Sequence, residues 1–350
     1  MDVKKEPKIS PVRQKKRVVV IGGGTGTHTV LRGLQHHHNQ LDITAIVSMA
    51  DSGGSTGRLR DAFGSLPVGD VRMALTALAS DDDHTEIVRQ LFLYRFNKDA
   101  GLNGHNFGNL FLTALTDIVG SEAEATRVAS KILRTRGQVI PVTTDNVNLV
   151  AEYDDNTTLE GEHYIDEPPA HFAHRKINAL YTNPKAIISD EAFNAIIEAD
   201  CIVLGPGDLY SSLLANCVVQ GVPEAFAQSK AQVVYVANLM TRPGQTRGMS
   251  IGDHLREIER YIGIYPDVLL KNNTELPKAM IDHYKSEGDE PLLDDSHLLP
   301  IPTITRDLLS HLDYSKADSD TLTRSLVRHD SDKLANAIMA LLPDVIFHSV

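Results

Sequence analysis

Four segments of the sequence carry residue types that could together solvate a phosphate. The first, Gly22-Gly23-Gly24-Thr25-Gly26-Thr27, follows the apolar run Val18-Val19-Val20-Ile21. Glycines at such a point let the backbone come close to a ligand, and a helix starting there offers unpaired N–H donors. A plain strand–helix turn is the alternative. Gly22 and Gly24 match the first two glycines of the dinucleotide fingerprint, but its third position is Thr27, and no P-loop Gly-Lys-Ser/Thr follows.

The second segment runs from Asp51 through Ser52, Gly53, Gly54, Ser55, Thr56 and Gly57 to Arg58 and Arg60. Small residues supply backbone and hydroxyl donors, and arginine supplies a forked contact to phosphate. Asp51 suits a divalent cation, a sugar hydroxyl or simply a turn. Asp70, in Leu66–Arg72, is either a helix cap or the partner of Asp51 in a magnesium site, which takes one or two carboxylates plus phosphate oxygens and water. The third segment, Gly104-His105-Asn106-Phe107-Gly108-Asn109, offers a histidine donor or acid/base group and amides, with helix capping as the alternative for Asn106. The fourth, Gly205-Pro206-Gly207-Asp208-Leu209-Tyr210-Ser211-Ser212, repeats the logic of the first in the second half of the chain, and Asn238 ends the next strand.

The candidate phosphate-binding residues are therefore Gly23, Gly24, Thr25, Gly26, Thr27, Gly53, Gly54, Ser55 and Arg58 in the first half. His105, Asn106, Asn109, Gly205, Pro206, Gly207, Ser211, Ser212 and Asn238 complete them, with Asp51 and Asp70 as magnesium ligands. No nucleophile–base pair stands out, and no tightly bound organic cofactor is expected.

The elements that must hold these loops read as short apolar strands alternating with amphipathic helices. Strands are expected at Val18–Ile21, Ile43–Val47, Val139–Val142, Cys201–Leu204, Val233–Val236 and Asp267–Leu270. Helices are expected through Val30, Leu31 and Leu34, after a Ser121/Glu124 cap, after a Ser250/Asp253 cap, and through Leu334, Ile338 and Leu341. Asn148–Tyr153 and Thr158–Glu162 form a β-hairpin pattern around Asp154-Asp155-Asn156. The alternation predicts a doubly wound, mostly parallel α/β sheet with helices on both faces, a Rossmann-like three-layer fold, plus the small hairpin. Ligands in such sheets bind beyond the carboxyl ends of the strands, where all four loops would lie.

Residues 1–16 read as a flexible basic tail, 17–345 as one domain, and the acidic stretch 286–297 as surface decoration. His36-His37-His38 point in different directions along a helix, so a solvated C-terminal turn fits better than a metal site. A net charge of -12 argues against general nucleic-acid binding, which needs a basic face. Two cysteines without metal or redox spacing suit a reducing compartment, and no apolar run reaches membrane-span length, so the expected location is the cytoplasm.

Taken in order, Ile21–Thr27, Asp51–Arg60, Leu66–Arg72, Gly104–Asn109, Gly205–Ser212, Tyr235–Gly244 and Val327–Leu334 resemble the successive motifs of the CofD-like/gluconeogenesis-factor family, across roughly residues 17–343. One branch of that family moves a phospholactyl unit from a guanosine diphosphate carrier to a deazaflavin; the other, YvcK-like, binds UDP-sugars such as UDP-N-acetylglucosamine and is implicated in cell shape and wall metabolism during gluconeogenic growth. The second and third loops look like the YvcK-like versions, and Ser52 stands where the family usually has a second acid after Asp51. The resemblance implies a UDP-sugar or other nucleoside diphosphate ligand and a homodimer. It leaves two functions open: a nucleotide-sugar-binding regulator without turnover, and a magnesium-dependent transferase acting on an acceptor alcohol. A nicotinamide dehydrogenase is disfavoured, because its lone ribose-binding acid is replaced by a whole glycine/serine loop.

Overall fold

The computed structural model describes residues 14–64, 66–98, 101–310 and 327–342. Most of the expected tail and the last three residues of the expected domain lie outside these. Seven strands form one parallel sheet: β1 Lys16–Gly22, β2 Leu41–Val47, β3 Gln138–Pro141, β7 Cys201–Leu204, β8 Gln232–Val236, β9 Val268–Asn272 and β10 Thr303–Arg306, in the order β10-β9-β8-β7-β1-β2-β3. Lys16, expected in the tail, is the first residue of β1.

Four of the five central residues of β1 show why the run is uninterruptedly apolar. Val18 and Val20 pack into one hydrophobic cluster with the Gly24–Leu34, Gly69–Leu78 and Ser331–Met339 helices; Val19 and Ile21 pack into a second, with the Asp190–Glu198, Val222–Gln228 and Ile251–Ile262 helices. A strand buried on both faces has no polar side to show in its sequence. The Ile251–Ile262 helix opens with the expected reciprocal Ser250/Asp253 capping box. Ser121 likewise accepts from the Glu124 amide.

The expected hairpin, β4 Asn148–Tyr153 and β5 Thr158–Glu160, gains a third antiparallel strand, β6 Ile177–Asn183, in the order β5-β4-β6. Neither β6 nor β10 was legible. β6 is half exposed, and β10 is a four-residue edge strand between Pro302 and a polar turn, so neither carries a strong apolar run. The histidine run forms a 3₁₀ turn, Gln35–His37, but it is pinned as well as solvated: His36 lies 3.0 Å from Asp332 and 3.2 Å from Asp81.

The acidic stretch 286–297 lies mostly at the surface and also braces a neighbouring loop. Glu290 O accepts from Thr241 N at 2.7 Å, Ile251 N donates to Leu293 O at 2.9 Å, and Asp289 is buried. The loop after β8 has no sheet partner of its own, and this stretch satisfies its backbone groups.

Two core histidines give a pH prediction. His254 and His329 are buried, and burial pulls each pKa down from 6.5 to about 4. His254 Nδ1 lies 2.8 Å from the Tyr235 hydroxyl. A histidine held neutral in the fold contributes stability present above about pH 6.5 and lost as pH falls towards 4. At pH 5 each should cost about 2 kcal/mol relative to pH 7. Asp70, described below, acts in the opposite sense, so the test is a difference. Urea melts at pH 7 and pH 5 should show wild type losing about 2 kcal/mol more than His254→Gln; equal losses would refute the assignment.

Candidate functional site

In the sheet order the chain leaves β1 towards β2 and β3, and later returns to place β7 on the other side of β1. This reversal is the topological switch point, where two strand–helix loops diverge and leave a crevice. The two glycine loops follow these two strands, and they meet. A Cβ on Gly26 would lie 2.1 Å from the Pro206 carbonyl oxygen. The approach is possible only because Gly26 has no side chain.

The meeting point opens into a cleft of about 500 Å³. From the first loop, Gly23, Gly24, Thr25 and Gly26 line it; from the second, Asp51, Gly53, Gly54 and Ser55; from the fourth, Pro206, Gly207 and Ser212. Asn109 and Asn238 also reach it. Asn238 braces the fourth loop, donating from Nδ2 to Gly207 O at 2.8 Å and accepting from Gly207 N at 3.4 Å.

Asp51 and Asp70 sit together on the floor. Asp70 accepts from the Gly24 amide at 2.8 Å, and Asp51 from the Gly53 amide at 2.8 Å. Their other oxygens press on backbone: a Cβ on Gly23 would lie 2.3 Å from Asp70 Oδ2, and one on Gly69 2.1 Å from Asp51 Oδ2. Burial, and then the charge of Asp51, push the Asp70 carboxyl up to about 7. Asp70 is in the first turn of the Gly69–Leu78 helix, but the residue before that helix is Val68, so the cap reading of Asp70 is replaced by a contact across to Gly24.

Six of the candidate residues stand back from the cleft. Thr27 is buried beneath its own loop, where its hydroxyl would meet a Cβ on Gly22 at 2.4 Å. Arg58 is exposed and donates to Asn103 O at 3.1 Å. His105 Nδ1 lies 3.2 Å from the Ser55 hydroxyl, which accepts from the Asn106 amide at 3.1 Å. Asn106 caps the Phe107–Val119 helix by accepting from Asn109 N. The third loop therefore braces the second. Gly205 is buried at the end of β7, and Ser211 faces inward, donating to Asp166 Oδ1 at 3.4 Å. Leu209–Leu214 is a π-helical turn; successive side chains of any helix point in different directions, and here Ser211 faces the core while Ser212 stays at the cleft.

Other cleft-lining residues come from all over the chain. Arg72 is buried and donates from Nε to Asn109 Oδ1 at 2.8 Å; burial pulls its pKa down to about 10, leaving it charged at neutral pH. Arg95, Arg242 and Arg328 join it, as do Glu162, Asp166, Glu167, Asp208 and Asp289. Arg72, Asp208, Arg242 and Arg328 fall inside the motif segments quoted above, which was a signal available for them. Arg95 and Asp166 carried none, since each is an ordinary charged residue in an unremarkable stretch, while Glu162 and Asp289 lay in the hairpin and the acidic stretch, where nothing pointed to a ligand.

Seven carboxylates and four guanidiniums line the cleft. The balance is negative, so a phosphate would enter most readily with Asp70 protonated or with a divalent cation between it and the carboxylates. Among the described residues no group of three His, Cys, Asp or Glu side chains could hold a metal. The arrangement fits a cation that takes two protein carboxylates and finds its remaining oxygens on phosphate and water. No helix among the described residues is long and apolar enough to cross a membrane.

The sequence matches the family described as "2-phospho-L-lactate transferase CofD" over residues 18–309. It is 38% identical over 332 residues to the gluconeogenesis factor of Listeria innocua, covering 94% of this chain and 97% of that protein. It is 36% identical over 333 residues to the gluconeogenesis factor of Bacillus subtilis, covering 95% and 99%. The fold superposes with a TM-score of 0.82 on a crystal structure of a UPF0052 family member from Bacillus halodurans, at 36% identity and covering 93% and 99% of the two chains. A match across most of the sequence to both descriptions, on the same parallel sheet, means that the chain belongs to the CofD-like/gluconeogenesis-factor family.

Proposed function

We propose that the cleft binds a nucleoside diphosphate sugar of the UDP-N-acetylglucosamine type, and that the protein acts as a ligand-responsive regulator of wall metabolism and cell shape during gluconeogenic growth. The observation that carries this reading is the contact between the two glycine loops at Gly26 and Pro206, beside Asp51 and Asp70. Backbone amides and guanidiniums suit the diphosphate. Glu162 and Glu167, on the small-sheet side of the cleft, are acceptors suited to hydroxyl and amide groups rather than to further anionic charge. Asp51 and Asp70 would hold a magnesium ion, which supplies the positive charge that the acidic lining lacks.

The same carboxylate pair, with the match to the transferase family, favours a second reading in which a phosphate-linked group passes to an acceptor alcohol. Such chemistry relies on alignment and charge neutralisation.

Titration calorimetry against UDP-N-acetylglucosamine, UDP and GDP, with magnesium and with EDTA, tests both. Saturable uridine binding that weakens at least about tenfold in EDTA is expected, with the ligand recovered intact by mass spectrometry. Absence of binding to any uridine ligand refutes the regulator reading. Conversion of the ligand when an acceptor alcohol is added moves the case to the transferase.

A further inference from the structure

Asp166 ends the five-residue Glu162–Asp166 helix that follows β5, and its side chain is 2% exposed. It lies 3.7 Å from a guanidinium nitrogen of Arg242, whose side chain is 25% exposed and lines the cleft. Ser211 donates to the same carboxylate oxygen, and Gln245 Nε2 donates in turn to Ser211 Oγ at 3.4 Å. Three segments distant in sequence therefore close around one buried carboxylate: the small-sheet helix, the π-helical turn of the fourth loop, and the loop after β8. That last loop is itself held, with Arg242 N donating to Thr246 Oγ1 at 2.8 Å and Thr241 bonded to Glu290.

A buried carboxylate is retained at a high desolvation cost unless it is paired and hydrogen-bonded, and removing its partner is strongly unfavourable. One guanidinium nitrogen of Arg242 sits within ion-pair distance of Asp166, and because the guanidinium is planar and rigid that pairing sets the orientation of the whole group. A long side chain at a cleft rim otherwise samples many rotamers and loses that freedom on binding.

We propose that Asp166 is a positioning residue that holds Arg242 in place to meet the phosphate of the ligand, so that the small antiparallel sheet serves to orient this arginine. The assignment rests on the nucleoside diphosphate reading of the cleft. It explains why Ser211 is buried: the serine fixes Asp166, and Asp166 fixes the arginine.

The test is a double-mutant cycle by calorimetry with UDP and magnesium, using Asp166→Asn, Arg242→Gln and the pair. Each single variant should weaken UDP about tenfold, and the pair should lose no more than Arg242→Gln alone. A merely structural Asp166 would lower the melting temperature and give a loss that adds to that of Arg242→Gln. Additive losses, or wild-type affinity in Asp166→Asn, overturn the assignment. If Asp166→Asn does not fold, Arg242→Lys replaces it: charge is kept and the fork lost, so a tenfold loss is again expected and unchanged affinity overturns the idea. Failure of wild type to bind UDP or UDP-N-acetylglucosamine refutes the cleft reading itself, and this assignment with it; binding by wild type with an additive cycle refutes only the role of Asp166.

Discussion

Gly26→Ala is expected to cut affinity for UDP and UDP-N-acetylglucosamine at least about a hundredfold while leaving the secondary structure intact. The added methyl would sit 2.1 Å from the Pro206 oxygen, 2.6 Å from its carbonyl carbon and 2.9 Å from the Gly207 nitrogen. All three are backbone atoms, so no side-chain rotation relieves the overlap, and the loops themselves must part. Moving them by the ångström or so required misaligns every donor shared between them, which is where a phosphate site loses most. Conformation is not the issue, because Gly26 is not among the positive-φ residues. Gly101→Ala, where a Cβ would meet nothing within 4 Å, is the control and should bind as wild type. Calorimetry, with circular dichroism as the check on folding, decides. Near-wild-type affinity in Gly26→Ala would show that the two loops do not act on one ligand.

Arg72→Met should destabilise the fold by about 3 kcal/mol and also weaken ligand binding. Methionine fills similar space but leaves Asn109 Oδ1 without the Nε donor now at 2.8 Å. It also removes a buried positive charge that interacts with Asp51 and Asp70, both of which act to raise the arginine pKa. Losing one partner of a buried charged group costs more than a surface pair ever returns, because the remaining charges stay desolvated. Asn109 in turn donates to Thr56 Oγ1 at 3.1 Å, so the second loop is undermined as well. Urea melts measure the stability, and a loss below about 1 kcal/mol would show that water replaces the guanidinium at little cost. Arg72→Lys should not restore it, since lysine lacks the Nε–H and the planar fork.

Much of this protein is local and could be read from the chain. The run at Val18–Ile21 is a central strand because burial on both faces leaves no polar alternation, and the glycines after it break the strand, Gly24 and Gly26 already opening the next helix. Ser250 with Asp253, Ser121 with Glu124 and Asn106 with Asn109 are caps set by spacing alone. Strand–loop–helix order then dictates which end of the sheet the loops occupy.

Tertiary structure decided which side chains at that end reach the cleft. Ser211 and Ser212 are neighbours of the same chemistry, yet within one π-helical turn the first faces the core and the second the site. Asp70, a cap or a magnesium ligand by sequence, reaches Gly24 of another segment, and the acidic surface stretch also supplies Asp289 to the cleft wall. Arg95, Asp166 and Arg242 had no common signature, because what joins them is distance in space, and local sequence encodes only the preferences of each turn of chain. A charged residue announces its partner only when both fall on one element; across elements, the partner is set by how the layers pack.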